Sequence, residues 1–172
     1  MKTSHIACLI CCIACIPVIS ASGPPDDTYQ TENRLFHVER SKNKNIVCYD
    51  FNDHMANKTD DPVYIYWINR EERPGQPGEL SYIQRKMAYG YSVLDKTNGV
   101  ITIELNAVKS KKLLIRQEGS RYICQVDINQ QPSVLQKVYV KTKSNNSIQV
   151  EYVDIFGNSL DTGLSIKERI YR

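Results

Sequence analysis

The chain is expected to fold as a mainly β domain, an antiparallel up-and-down meander that forms a barrel or sandwich and carries one short helix at residues 81–89. Three observations lead there. From Leu35 onward, short β-prone runs are separated by turn residues. Several runs alternate apolar and polar side chains with period two, and the later connections are short and rich in Asn, Gly and Ser.

The chain begins with a different signal. Met1–His5 carries Lys2, the run Ile6–Ile19 has no charged residue, and the small residues Ser20, Ala21 and Ser22 follow. Residues 1–22 therefore look like a secretory signal peptide, too short in its apolar part for a comfortable membrane span, with cleavage expected within Ser20–Gly23. An exported protein, periplasmic or secreted, is the expectation. Residues 23–33 contain Pro24, Pro25, Asp26 and Asp27 but no apolar period, and are expected to be a flexible tether. Residues 34–172 then form a single β-rich domain.

Four of the six cysteines, Cys8, Cys11, Cys12 and Cys15, fall inside the leader, so their spacing is not evidence for a metal cluster. Cys15 stands after a poor version of a lipidation box; membrane attachment is expected only if that residue is lipidated. Cys48 and Cys124 remain, and an oxidising compartment permits a disulfide between them if their Cα atoms lie about 4.4 to 6.8 Å apart. Two buried free thiols are the alternative.

The strands follow in order: Leu35–Arg40, Asn45–Phe51, Val63–Ile68, Tyr91–Leu94, Val100–Leu105, Lys111–Gln117, Arg121–Ile128, Val134–Lys141, Ile148–Ile155 and Leu164–Tyr171. In Arg121–Ile128, for example, Tyr122, Cys124, Val126 and Ile128 share one face while Gln125 and Asp127 take the other. Val63–Ile68 is apolar on both faces, which predicts cover on both sides, from the core and from the helix. Asn98-Gly99 is a hairpin signal because both residues tolerate positive φ. Glu118-Gly119-Ser120, Ser144-Asn145-Asn146 and Gly157-Asn158 are expected to be turns of the same kind. Ser81-Tyr82-Ile83-Gln84 fits a capping box, Ile83 and Met87 share a helix face, and Gly90 ends the helix.

Without Lys2, 21 basic side chains meet 19 acidic ones, a balance too even to draw nucleic acid. No metal site and no cofactor is expected. Asp50, Asn52, Asp53, Asp60 and Asp61 crowd one loop, but Met55 stands where a calcium loop needs glycine and Asp61 where it needs a bidentate glutamate. The mature chain has two histidines, His37 and His54, with no zinc-binding spacing and no nucleophile elbow. His37 and Glu39 could form an acid/base pair on one strand, although polar residues on a solvated face account for them more simply.

Aromatic residues concentrate where Tyr64, Tyr66, Trp67, Tyr82, Tyr89 and Tyr91 interleave with Arg70, Arg73, Arg85 and Lys86. Aromatic faces stack on sugars or apolar ligands and guanidinium groups fork onto carboxylates. Tyr66, Trp67, Tyr82, Arg85, Tyr89 and Tyr91 are accordingly the candidate ligand contacts, between the Val63–Ile68 strand and the helix. Core packing of a helix on a sheet is the competing explanation.

Three runs carry a family likeness: Arg40-Ser41-Lys42-Asn43-Lys44-Asn45-Ile46-Val47-Cys48-Tyr49-Asp50, Asp61-Pro62-Val63-Tyr64-Ile65-Tyr66-Trp67-Ile68, and Leu80-Ser81-Tyr82-Ile83-Gln84-Arg85-Lys86-Met87-Ala88-Tyr89-Gly90-Tyr91. The chain resembles a domain of unknown function found in small exported proteins of Gram-negative bacteria. That resemblance implies export and one domain, and brings no catalytic residues. The functional expectation is an exported envelope binding or interaction module, its partner a small molecule, a glycan or an envelope protein. The alternative is an enzyme acting on envelope glycans or peptides.

Overall fold

A computed structural model describes residues 31–52 and 61–172. The expected signal peptide, Cys15 and most of the tether lie outside the described residues, as do Asp53, His54 and Asp60. The strands are β1 (Arg34–Arg40), β2 (Asn43–Phe51), β3 (Val63–Ile68), β4 (Pro77–Glu79), β5 (Tyr91–Thr97), β6 (Val100–Leu105), β7 (Val108–Glu118), β8 (Arg121–Ile128), β9 (Gln131–Lys143), β10 (Asn146–Ser159) and β11 (Ser165–Tyr171). Between β4 and β5, helix α1 (Tyr82–Gln84) runs on into a π-helical turn, Arg85–Tyr89.

All eleven strands join one sheet in the order β4-β3-β2-β1-β9-β8-β7-β6-β5, with β10 and β11 branching from β9. The sheet curls into a half-barrel, as the hairpin-rich sequence predicts, but it is mixed rather than purely antiparallel. The reason lies in β9. Its first residues pair with β8, and its edge then continues past the end of β8 and takes β1 in parallel register, His37 opposite Lys137 and Arg40 opposite Val140. The other edge of β9 pairs with β10.

The concave face holds the core. Phe36, Val47, Tyr49, Ile103, Ile115, Leu135 and Ile155 are all essentially inaccessible, with Phe36 stacked on Tyr49 at 4.4 Å and Phe51 on Tyr122 at 3.6 Å. Each such side chain contributes about 1.5–3 kcal/mol by leaving water. Burial of both Leu35 and Phe36 in the same cluster follows from an irregularity in β1, where register shifts between Arg34 and Phe36.

Turn chemistry is as expected at Asn98-Gly99, where φ is 54° and 76°, and at Gly119, φ 62°. Asn129 and Gln130, φ 50° and 66°, make an unforeseen turn of two left-handed residues between β8 and β9. Gly157-Asn158 is not a turn; both residues lie inside β10. Gly157 is required there because a Cβ would stand 2.6 Å from the Val134 carbonyl oxygen, at a register shift in the β9–β10 ladder.

The helix also differs from expectation. Its capping box is present, with the Ser81 amide donating to Gln84 Oε1 at 2.8 Å and the Gln84 amide to Ser81 Oγ at 3.3 Å. Ile83 and Met87, however, are exposed, and Ala88 and Tyr89 turn inward to the core instead. The helix thus closes the concave side rather than covering the outer face of β3. On that outer face a small cluster of Ile46, Cys48, Tyr66 and Ile68 is buried, while Tyr64 remains exposed.

The disulfide considered above does not form: Cys48 and Cys124 are buried free thiols. Cys48 belongs to the outer cluster and Cys124 to the inner core, so the sheet itself separates them. Burial pushes the Cys48 thiol up to about 11 and raises that of Cys124 further, leaving neither as a ready thiolate.

Candidate functional site

A cavity of about 440 Å³ opens between the β2–β3–β4 end of the sheet and the helix. Asn43, Asn45 and Val47 of β2 line one side, Trp67 of β3 and Glu79 of β4 another, and Leu80, Ser81, Gln84 and Tyr89 the helical wall. β4, a three-residue strand just ahead of the helix, places Glu79 here and brings Gly78 opposite Trp67. The indole Nε1 donates to the Glu79 carbonyl at 2.9 Å, which holds the ring over the Gly78 backbone.

The polar side chains of the wall are locked at one end. Asn43 Oδ1 accepts from the Asn45 amide at 3.0 Å, Asn45 Oδ1 from the Arg70 amide at 3.1 Å, and Gln84 Oε1 from the Ser81 amide. An amide whose oxygen is engaged still carries two N–H donors. The cleft therefore combines three oriented NH2 groups and the Ser81 hydroxyl with the apolar surface of Trp67, Val47 and Leu80, while Glu79, paired with Tyr66, lends its backbone to the wall. Deep in the wall, the Tyr49 hydroxyl donates to the Tyr89 carbonyl at 2.6 Å, and the Arg40 guanidinium lies 5.8 Å from the Tyr89 ring centroid.

The π-helical turn is held by residues outside it. Asn106 Nδ2 donates to the Lys86 carbonyl at 3.0 Å, and the Asn106 amide donates to the Gly90 carbonyl at 2.9 Å. Gly90 has an ordinary negative φ of −71°, so its role is not a left-handed cap. A Cβ there would fall 2.1 Å from the Arg85 carbonyl oxygen; only glycine fits. Turns of this type are rare and concentrate at functional sites.

The six candidate contacts divide three ways. Trp67 and Tyr89 line the cleft. Arg85 and Tyr91 are ties to β3: Arg85 Nη2 reaches the Ile65 carbonyl at 3.5 Å, while the Tyr91 hydroxyl donates to the Val63 carbonyl at 3.2 Å and accepts from the Val63 amide at 3.1 Å. Burial pushes the Tyr91 phenol up to about 12, so it stays a donor. Tyr66 and Tyr82 do not join the cleft. Tyr82 faces solvent with Lys86 Nζ 5.7 Å from its ring centroid.

Tyr66 is on the outer face because residues alternate along β3. Its hydroxyl donates to Asp50 Oδ2 at 2.8 Å and accepts from Arg34 Nη2 at 2.9 Å. Asp50 also accepts from Thr31 Oγ1 at 2.8 Å and forms an ion pair with Arg34. Burial and then Asp50 hold the Tyr66 phenol up at about 12. Asp50 is thus engaged by three side chains, and no three His, Cys, Asp or Glu residues among those described are arranged to hold a metal.

His37 and Glu39 also lie on the outer face, beside each other at 3.6 Å. Arg70 and Lys137 each approach Glu39 at 3.4 Å. The His37 hydrogen bond, against the opposing effect of burial and with help from Lys137 and Arg70, holds the Glu39 carboxyl down at about 2. The pair is therefore separated by the sheet from Arg85 and Tyr89.

Asn43, Asn45, Glu79, Ser81 and Gln84 were not among the residues expected to bind. Their signals were present: Asn43-Lys44-Asn45 belongs to the Ser-Lys-Asn-x-Asn run, and Ser81 with Gln84 forms the capping box. What sequence lacked was the short strand β4 that brings these three segments together.

Fold and cleft define a class: a mixed β half-barrel with a helix-walled, amide-lined cleft at one end. The chain belongs to a family described as a domain of unknown function (DUF4833), whose family model matches residues 36–169. That span contains the three runs that carry the resemblance and every strand that lines the cleft. No curated protein and no solved structure matches the chain.

Proposed function

We propose that this is an exported binding module of the cell envelope, whose ligand is a saccharide held in the cleft of Trp67. The observation that carries the reading is the pairing of one indole face with side-chain amides that are already fixed through their oxygens. A sugar ring has an apolar face to lay on an aromatic surface and hydroxyls to accept from N–H groups, and a preformed site reduces the ordering cost of binding. The Ser81 hydroxyl, whose oxygen accepts from the Gln84 amide, supplies a donor to a sugar oxygen. The basic leader with its apolar run supports export.

The alternative of an enzyme acting on glycans or peptides lacks a comparable observation, since His37 and Glu39 are on the other side of the sheet from the cleft. Trp67 is the single tryptophan of the chain, so its emission reports directly on the cleft. Titration of the protein with envelope glycan fragments is expected to shift Trp67 emission and raise the melting temperature by mass action. Asn45→Leu is expected to weaken that response at least fivefold. A full set of fragments that changes neither emission nor melting temperature sinks the saccharide reading.

A further inference from the structure

We propose that the outer face of β9, β10 and β11 is a second binding surface, separate from the cleft, for an acidic polysaccharide. The near balance of charge over the whole chain conceals a local excess here. Strand register places side chains in three rows: Lys137, Phe156 and Lys167; Tyr139, Asp154 and Arg169; Lys141, Tyr152 and Tyr171. Lys137, Lys141, Lys167 and Arg169 thus share a patch with one carboxylate, Asp154, and with Glu39 at its border on β1.

The aromatic rings position the cations. Lys137 and Lys167 place their ammonium groups 4.8 and 5.6 Å from the Phe156 ring centroid, and the Arg169 guanidinium lies 3.8 Å from that of Tyr152. Arg169 also donates to the two oxygens of Asp154 at 2.6 and 2.7 Å, which fixes the plane of its fork. These charges are therefore held in a lattice set by the strand spacing of about 4.8 Å.

The same contacts select the partner. Cations lie against the Phe156 and Tyr152 rings, and the exposed Tyr171 stands at the rim of the patch, so the surface lacks the succession of open ring faces on which consecutive nucleobases stack. The rows contain no aliphatic side chain that could enter a bilayer. What remains is an array of fixed cations interleaved with the phenol hydroxyls of Tyr139, Tyr152 and Tyr171. A uronic-acid polymer offers the complement, carboxylates alternating with hydroxyls along an extended chain.

The test uses the full chain at low salt with alginate as probe, and with neutral dextran, an oligothymidylate and phosphatidylglycerol vesicles as comparisons. Alginate is expected to bind, to weaken steeply with salt, and to bind at least tenfold more weakly to the triple variant Lys137→Gln, Lys141→Gln, Lys167→Gln. Removing three charges elsewhere, by Lys109→Gln, Lys112→Gln and Arg121→Gln on β7 and β8, is expected to leave binding within twofold. Circular dichroism checks that each variant folds; should the first triple fail to, Lys141→Glu alone is expected to weaken alginate at least threefold. The proposal is overturned if alginate binds no better than dextran, if the oligonucleotide or the vesicles bind as well as alginate, or if the two triple variants lose binding equally.

Discussion

Trp67 lies across Gly78, its cross-strand partner, so closely that a Cβ on Gly78 would stand 2.5 Å from the indole. The ring cannot move away without breaking its hydrogen bond to the Glu79 carbonyl. Gly78→Ala is expected to cost about 1–3 kcal/mol by overpacking. Its more telling effect should be on the cleft: Trp67 emission shifts in the unliganded protein and its response to glycan fragments falls. Urea denaturation and fluorescence titration on the same variant check both; unchanged emission would mean that Gly78 does not position the ring.

Glu39 makes acid stability a measurable property of the outer face. Its carboxyl titrates at about 2, below the ordinary value of 4.5, because His37, Lys137 and Arg70 favour its charged form. The contribution is therefore complete above about pH 4.5 and is lost as pH falls through about 2. With solvent screening of a partly exposed group, its size is on the order of 1 kcal/mol. Glu39→Gln should accordingly be the less stable protein at pH 7, and the difference should shrink between pH 4.5 and pH 2 in urea unfolding. A difference that stays constant across that range would contradict the assignment.

Tyr66 was expected to touch ligand and instead belongs to the Asp50–Arg34 network. Tyr66→Phe removes one donor from Asp50, which keeps Arg34 and Thr31, so the expected loss is about 1 kcal/mol. The Trp67 response to glycan fragments should be unchanged, because the two side chains lie on opposite faces of β3. A weakened response would place Tyr66 in the cleft after all. Thermal unfolding and fluorescence titration together separate the two outcomes.

The strands were legible wherever side chains alternate. Every run expected to be a strand is one, with ends displaced by a few residues, because one face of each meets a shared core. The Asn98-Gly99 turn and the Ser81–Gln84 capping box were equally legible, since local backbone chemistry decides them. Errors arose where a distant contact overrules the local signal. Gly157 resembles a turn residue until the Val134 carbonyl is seen beside it, and Ile83 and Met87 resemble a buried face until the π-helical turn directs Tyr89 inward.

The candidate site was half legible. Trp67 and Tyr89 stood out because aromatic residues are scarce and their clustering is visible in one dimension. Asn43, Asn45 and Glu79 did not, because polar residues near turns are usually solvated. They form a wall only because β4 pairs with β3 and the helix folds back against β2. Likewise the Lys137–Phe156–Lys167 row has no signature in a linear reading.

By itself the sequence determined the β-rich class, the positions of the strands, the local turns and the helix cap, all of which depend on residues a few places apart. Tertiary structure decided the parallel β1–β9 pairing, the separation of Cys48 from Cys124, and the faces presented by Tyr66, His37 and Glu39. The physical reason is that alternation says which residues share a face but not what that face meets. That depends on the free edge of β9, which β1 fills from a hundred residues away in the chain.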